Sequence, residues 1–246
     1  SSPVRHQSGR ANGVLALFRG NDSPQFVDRE ARLASLLSRR CASIVEASYD
    51  ALSGLLNRAA FEQRCRTALV EGGKDRRWAG IYIDTDRLHV INDNFGMHIG
   101  DRLITRIGEL IRSRLVPGAL AARVSGDRFA ILLPSNQEDA TAFAESLREA
   151  IGQVTPVSLG ASDSRSFSAS VSIGIAPVTD AAVSFTHAFA VAETACKAAK
   201  DRGRNRVELY LPSDLSMVRR YEDVNIAPSL RLAIAENRLR LHAQLI

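Results

Sequence analysis

Residues 121–133 read Ala-Ala-Arg-Val-Ser-Gly-Asp-Arg-Phe-Ala-Ile-Leu-Leu, two apolar runs parted by a short polar turn that carries the carboxylate of Asp127. β-branched and alternating apolar residues on both sides suit strands, and Ser125-Gly126-Asp127 supplies the backbone of a tight turn, so the stretch reads as a hairpin with Asp127 at its tip. A carboxylate beside a glycine-bearing turn can hold a divalent cation while the bare backbone lies close to a phosphate. Taken alone, the same pattern is an ordinary hairpin. A second polar-rich stretch, residues 81–101, follows an apolar run and carries Asp84, His89, Asn92 and Asp101. Cys41, Cys65 and Cys196 are widely separated and lack metal-ligand spacing, so neither a zinc site nor a disulfide framework is indicated.

These residues need elements to hold them. Residues 78–83 read as a buried strand that delivers Asp84 at its end. Helical periods run over residues 59–70, 103–115, 138–154 and 186–201, with Pro117-Gly118 breaking the second before the hairpin. Residues 166–175 alternate as a strand. The order strand, helix, hairpin, helix, strand, helix predicts an α/β (α+β) sandwich, with helices packed on a mostly antiparallel central sheet. Nearer the N-terminus, residues 1–12 are polar and expected to lack structure, and residues 13–19 form one short strand. Asp28 is a plausible cap for a helix whose narrow seam is Leu33, Leu37, Cys41, Ile44 and Ser48. That helix either packs on its own domain or pairs with a second copy; the sequence leaves both open.

The chain has 246 residues, 45% hydrophobic and 24% charged, enough for one domain of typical size with flanking elements. Its net charge of +5 is spread among many arginines, which suits nucleotide phosphates and gives no block aimed at nucleic acid. No run approaches the roughly 20 apolar residues that span a bilayer. A cytoplasmic location with no membrane segment in this stretch is the expectation.

The two stretches together resemble the GGDEF family, the diguanylate cyclase domains. Its pattern is a strand ending in D-x-D-x-F-K-x-x-N-D-x-x-G-H-x-x-G-D, then a hairpin R-x-G-G-[DE]-E-F; here the hairpin reads Arg123-Val124-Ser125-Gly126-Asp127-Arg128-Phe129. Residues 50–58 are similar to the family's opening D-x-L-T-G-L-x-N-R, residues 170–176 to its S-I-G-I-A strand, and residues 200–207 to its closing A-K-x-x-G-R-N-R-V. The resemblance implies a palm-like nucleotidyl cyclase fold over residues 49–211, preceded by a signalling helix. It also implies two GTP molecules condensed between facing subunits, hence a homodimer, with Mg2+ as cofactor. Asp84, Thr85 and Asp127 are then the metal ligands. Asn92 and Asp101 read guanine, since an amide and a carboxylate can meet the donors and acceptors on that base's edge. His89, Gly126, Lys200 and Arg204 lie against the phosphates. Taken one at a time, these residues have plainer roles: Asn92 as a helix-terminal cap, Asp101 as an N-cap, and Lys200 and Arg204 as solvated cations.

Five departures from the family pattern bear on activity and its control. Ser125 adds a side chain where the first glycine of the signature stands. Arg128 replaces a glutamate and changes the local charge by two units beside a cation site, where one unit-charge interaction at about 5 Å is worth roughly 3 kcal/mol at an effective dielectric of about 20. His89 stands for a lysine, and Met97 for a histidine. The positions of the product-inhibition motif R-x-x-D hold Val116 and Ala119.

Residues 1–48 resemble the tail of a GAF sensor domain and its linker helix, 212–229 read as a linker, and 230–246 resemble the opening of an EAL phosphodiesterase domain. The expectation is a degenerate GGDEF domain that binds GTP and regulates an attached EAL domain, with little or no cyclase activity. The alternatives are a working diguanylate cyclase and a dimerisation module that binds no nucleotide.

Overall fold

The computed structural model describes residues 2–5, 11–16, 18, 27–73, 76–156, 159, 168–178 and 185–211. The predicted linker at 212–229 and the EAL-like stretch at 230–246 lie outside them.

A six-stranded sheet carries the fold, in the order β3 (Leu56–Asn57), β5 (Leu120–Ser125), β6 (Arg128–Leu133), β4 (Trp78–Thr85), β7 (Val171–Val178), β8 (Val207–Leu209). The pairs β5 with β6, β6 with β4 and β4 with β7 are antiparallel, while β3 and β8 join the edges in parallel. All eight residues of β4 are buried, because helices cover both faces of this central strand; its sequence is accordingly a continuous apolar run. Successive residues of β4 face opposite sides. Ala79, Ile81 and Ile83 pack with Leu103, Ile107 and Ile111 of α4 (Met97–Arg114) and Leu147 of α5 (Gln137–Gly152). Trp78 and Tyr82 meet the other layer, Phe61 and Cys65 of α2 (Arg58–Glu71) and Val191, Ala192 and Cys196 of α6 (Phe185–Asp201). The sandwich and its mostly antiparallel sheet are as the sequence predicts.

Boundaries differ in several places. A strand stands where no structure was expected: β1 (Ser2–Arg5) pairs antiparallel with β2 (Ala11–Leu15) in a separate two-stranded sheet. The expected helix at 103–115 begins earlier, at Met97, and a further helix, α3 (Leu88–Phe95), precedes it. Gly96, at φ +87°, parts the two, a backbone conformation that L side chains rarely adopt. The strand predicted at 166–175 occupies Val171–Val178.

Helix α1 (Asp28–Glu46) has Asp28 as its first helical residue, one place after the cap position expected for it; Glu30 reaches back to accept from Val27 N at 3.0 Å, half of a capping box with Val27 at the cap. Leu33 and Leu37 of the expected seam are 52% and 46% exposed, and Leu36 beside them is 64% exposed, so this leucine face stays largely open among the described residues.

Candidate functional site

Three connections converge at the end of β4. The first is the hairpin. Thr85 is fully buried, and both its amide and its hydroxyl donate to Asp127 O at 3.0 Å, tying the hairpin tip to the strand end. Arg123 Nε donates to Gly126 O at 2.7 Å, and its Nη1 donates to both oxygens of Asp50 at 3.2 Å. The opening motif therefore holds the turn from below. Gly126 sits at φ +39° with nothing within 4 Å of where a Cβ would stand, so the tip is open to an approaching ligand.

The second connection is α6. Gly174 in β7 leaves room for the helix backbone to lie directly on the sheet: a Cβ there would meet Ala192 O at 2.0 Å and Cys196 N at 2.2 Å. Ala188, Ala192, Ala195 and Ala199 are correspondingly buried. This close approach brings Lys200 Nζ to 2.6 Å from Asp84 Oδ1. The other carboxylate oxygen, Oδ2, pairs with Arg128 Nε at 3.3 Å. Asp84 is thus a buried carboxylate with a chain-borne cation at each oxygen. Burial pushes its carboxyl up from the ordinary value; the Lys200 ammonium and Arg128 oppose that shift, and the Asp127 charge adds to it. The Tyr82 hydroxyl lies beside the Arg128 guanidinium, and burial pushes its ionisation up to about 12 against the pull of that charge. The guanidinium lines a cavity of about 250 Å³ with Tyr82, Ser125, Phe189 and Glu193.

The third connection is the α3–α4 pair. Asn92 lies within α3, and its Oδ1 is sealed from solvent without a hydrogen-bond partner among the described residues. Gly100 of α4 faces it so closely that a Cβ there would stand 1.8 Å from that oxygen. Asp101, next in α4, is exposed inside the helix and not at its cap. Turned outward from Gly100, the Asn92 amide together with the exposed Asp101 carboxylate could meet the ring and exocyclic N–H donors of a base.

The structure therefore joins Asp84, Thr85, Asp127, Arg128 and Lys200 into one cluster and sets Asn92 against α4 beside Asp101. His89, on the first turn of α3, and Ser125 are exposed, as is Arg204 in the loop after α6, at φ +63°. Two residues escaped the sequence reading. Tyr82 is one, since only a fold reveals that it stands beside Arg128. The other is Asp86, 4% exposed, which accepts from Ser170 Oγ at 2.9 Å, Ser172 Oγ at 2.7 Å and Asn205 N at 3.1 Å. It locks the turn after β4 to β7 and to the closing loop. The signal was its place in the D-x-D pair.

Among the described residues, no group of three or more His, Cys, Asp and Glu side chains could hold a metal ion. A divalent ion on Asp84 Oδ2 would stand about 5 Å from the Arg128 charge, a repulsion of roughly 7 kcal/mol at an effective dielectric of about 20. The Arg128 side chain is 45% exposed, so solvent screening cuts this to a fraction, but the sign opposes the ion. As placed, Asp84 does not fit a divalent ligand.

The family model described as "Diguanylate cyclase, GGDEF domain" matches residues 47–206. The chain belongs to this family. Among curated relatives it is similar to the cyclic di-GMP phosphodiesterase PdeB of Shewanella oneidensis, at 31% identity over 80% of this chain and 22% of that protein. It is also similar to the probable diguanylate cyclase DgcE of Escherichia coli, at 32% identity over 80% of this chain and 18% of that one. The chain thus spans about a fifth of the length of either relative. Of solved GGDEF structures, the coiled coil and GGDEF domain of DgcB from Caulobacter crescentus, in complex with c-di-GMP, superposes with a TM-score of 0.68 at 25% identity, covering 74% of this chain and 95% of that one. The GGDEF domain of TpbB from Pseudomonas aeruginosa superposes at 0.60 with 32% identity, covering 70% and 99%. No helix among the described residues is long and apolar enough to cross a membrane.

Proposed function

We propose that this GGDEF domain serves cyclic di-GMP signalling as a GTP-binding regulatory module of an attached EAL phosphodiesterase, with little or no cyclase activity of its own. One observation carries the reading. Arg128 stands on Asp84, the carboxylate that metal-assisted phosphoryl transfer would use, while the parts suited to holding a guanine nucleotide remain in place. Asn92 offers an unpaired buried oxygen, Asp101 a free carboxylate, Gly126 an open backbone and Lys200 an ammonium. Transfer between two nucleotides needs in-line placement and cations that absorb charge as it builds on the phosphates. A site that retains base recognition but blocks its carboxylate keeps binding and loses turnover. Relatives named as a phosphodiesterase and as a cyclase are both at hand, so the family alone does not choose between these outcomes. The uncovered leucine seam of α1 supports a homodimer through paired helices.

Isothermal titration with GTP and with ATP tests the reading, together with a turnover assay for cyclic di-GMP. GTP-selective binding without product is the expected result. Steady formation of cyclic di-GMP, abolished in Asp127→Ala, would instead establish a working cyclase. Absence of binding combined with a concentration-dependent dimer would reduce the domain to an interaction module.

A further inference from the structure

We infer that Arg128 and Lys200 together replace the divalent ion, so that the site holds the phosphates of a guanine nucleotide on two side-chain cations and does not require magnesium. The inference rests on the GTP-binding reading above and concerns how the same site is satisfied. Asp84, Asp127, Arg128 and Lys200 sum to zero formal charge, whereas a glutamate at position 128 would leave the cluster two units negative. Two units is the charge that one divalent cation brings. Position is supplied as well as charge. Arg128 is paired with Asp84 Oδ2 at 3.3 Å beside Tyr82 in one cavity, and Lys200 is fixed 2.6 Å from Asp84 Oδ1 by the close seating of α6. A guanidinium has five N–H donors and an ammonium three, so both keep donors for phosphate oxygens after serving Asp84. The open turn at Gly126 lets a phosphate reach them. A cation that is part of the chain cannot be chelated away, and magnesium carried on the nucleotide would meet like charge.

Equilibrium binding of GTP is measured with magnesium in excess and with a chelator in excess, for the wild-type chain and for Arg128→Glu. The wild-type Kd should change less than threefold on chelation, or tighten. Arg128→Glu should bind with magnesium and weaken at least tenfold without it. Arg128→Gln, which removes the charge without reversing it, should bind more weakly than wild type in both buffers, and thermal melting of each variant confirms folding. Manganese added to the nucleotide-free chain gives a readout independent of GTP: the paramagnetic signal of the free ion should persist with wild type and fall with Arg128→Glu. A wild-type chain that binds GTP but loses tenfold or more on chelation overturns the inference alone. A variant as indifferent to magnesium as the wild type also overturns it. Failure of the wild type to bind GTP in either buffer overturns the functional reading and this inference with it.

Discussion

Replacing Gly100 with alanine should separate nucleotide binding from stability. The new Cβ would stand 1.8 Å from Asn92 Oδ1, so the amide must retreat by more than an ångström to reach an ordinary contact. The atom in the way is the end of a flexible side chain, which can turn aside. It also has no hydrogen-bond partner to lose, and letting it reach water relieves a buried unsatisfied acceptor worth about 1–3 kcal/mol. Alanine is favoured over glycine inside a helix by about 1 kcal/mol, and Gly100 lies inside α4. Gly100→Ala should therefore match or exceed wild-type stability by about 1 kcal/mol, a rise of roughly 2–4 °C in Tm for a domain of this size. Binding should move the other way. If the Asn92 amide makes two hydrogen bonds to guanine at about 1–1.5 kcal/mol each, displacing it weakens GTP by roughly 30- to 150-fold. Differential scanning fluorimetry and titration calorimetry on one preparation read both quantities. A variant that binds GTP within threefold of wild type would refute Asn92 as the reader of the base. A Tm lowered by several degrees would refute the claim that Asn92 is free to move.

Three further outcomes follow from the packing and charge. Gly174→Ala, whose Cβ would meet backbone of α6 at 2.0 and 2.2 Å, should destabilise the domain by about 3 kcal/mol or more in urea unfolding; a loss below about 1 kcal/mol would mean that α6 is not seated as described. Asp86→Ala removes the acceptor for Ser170 Oγ, Ser172 Oγ and Asn205 N and should cost at least about 3 kcal/mol, with the loop after α6 gaining backbone amide exchange first. Burial alone would raise the Asp50 carboxyl, but the amide and hydroxyl of Ser53 and the Arg123 guanidinium outweigh it and hold Asp50 below its ordinary value. A depressed acid stabilises the fold above its unfolded-state value and loses that contribution as pH falls through the folded one. Asp50→Asn should accordingly flatten the acid limb of the stability profile below about pH 4, and an unchanged limb would remove Asp50 from the account.

How much the sequence disclosed depends on how far apart the interacting residues stand. The apolar run ending at Asp84 is legible because a strand covered on both faces needs no alternation, and the hairpin at Gly126 is legible because a tight turn restricts residue type locally. Helix α3 was not legible. Its eight residues include only one buried apolar side chain, Ile91, too few to show a helical period. The strand at residues 2–5 was missed for a related reason: its polar sequence gains strand character only from pairing with β2. At the site, motif positions placed Asp84, Asp127 and Lys200 near one another, but no pattern in one dimension states that Arg128 turns back onto Asp84. That contact joins neighbouring strands through the antiparallel register of Asp84 with Arg128. Tyr82 stands beside it, two positions before Asp84 on the same face of β4.

The hairpin is held in shape by its own contacts and carries a cation at position 128, and both features suit the regulatory role proposed for it. The Thr85 amide and hydroxyl hold Asp127 O, Arg123 spans Gly126 O and Asp50, and Gly126 presents an open tip. The Arg128 side chain is not left loose in solvent either, since it pairs with Asp84 on β4. A turn held in shape, with its carboxylate balanced by fixed cations, suits a site that is read by occupancy and not by turnover.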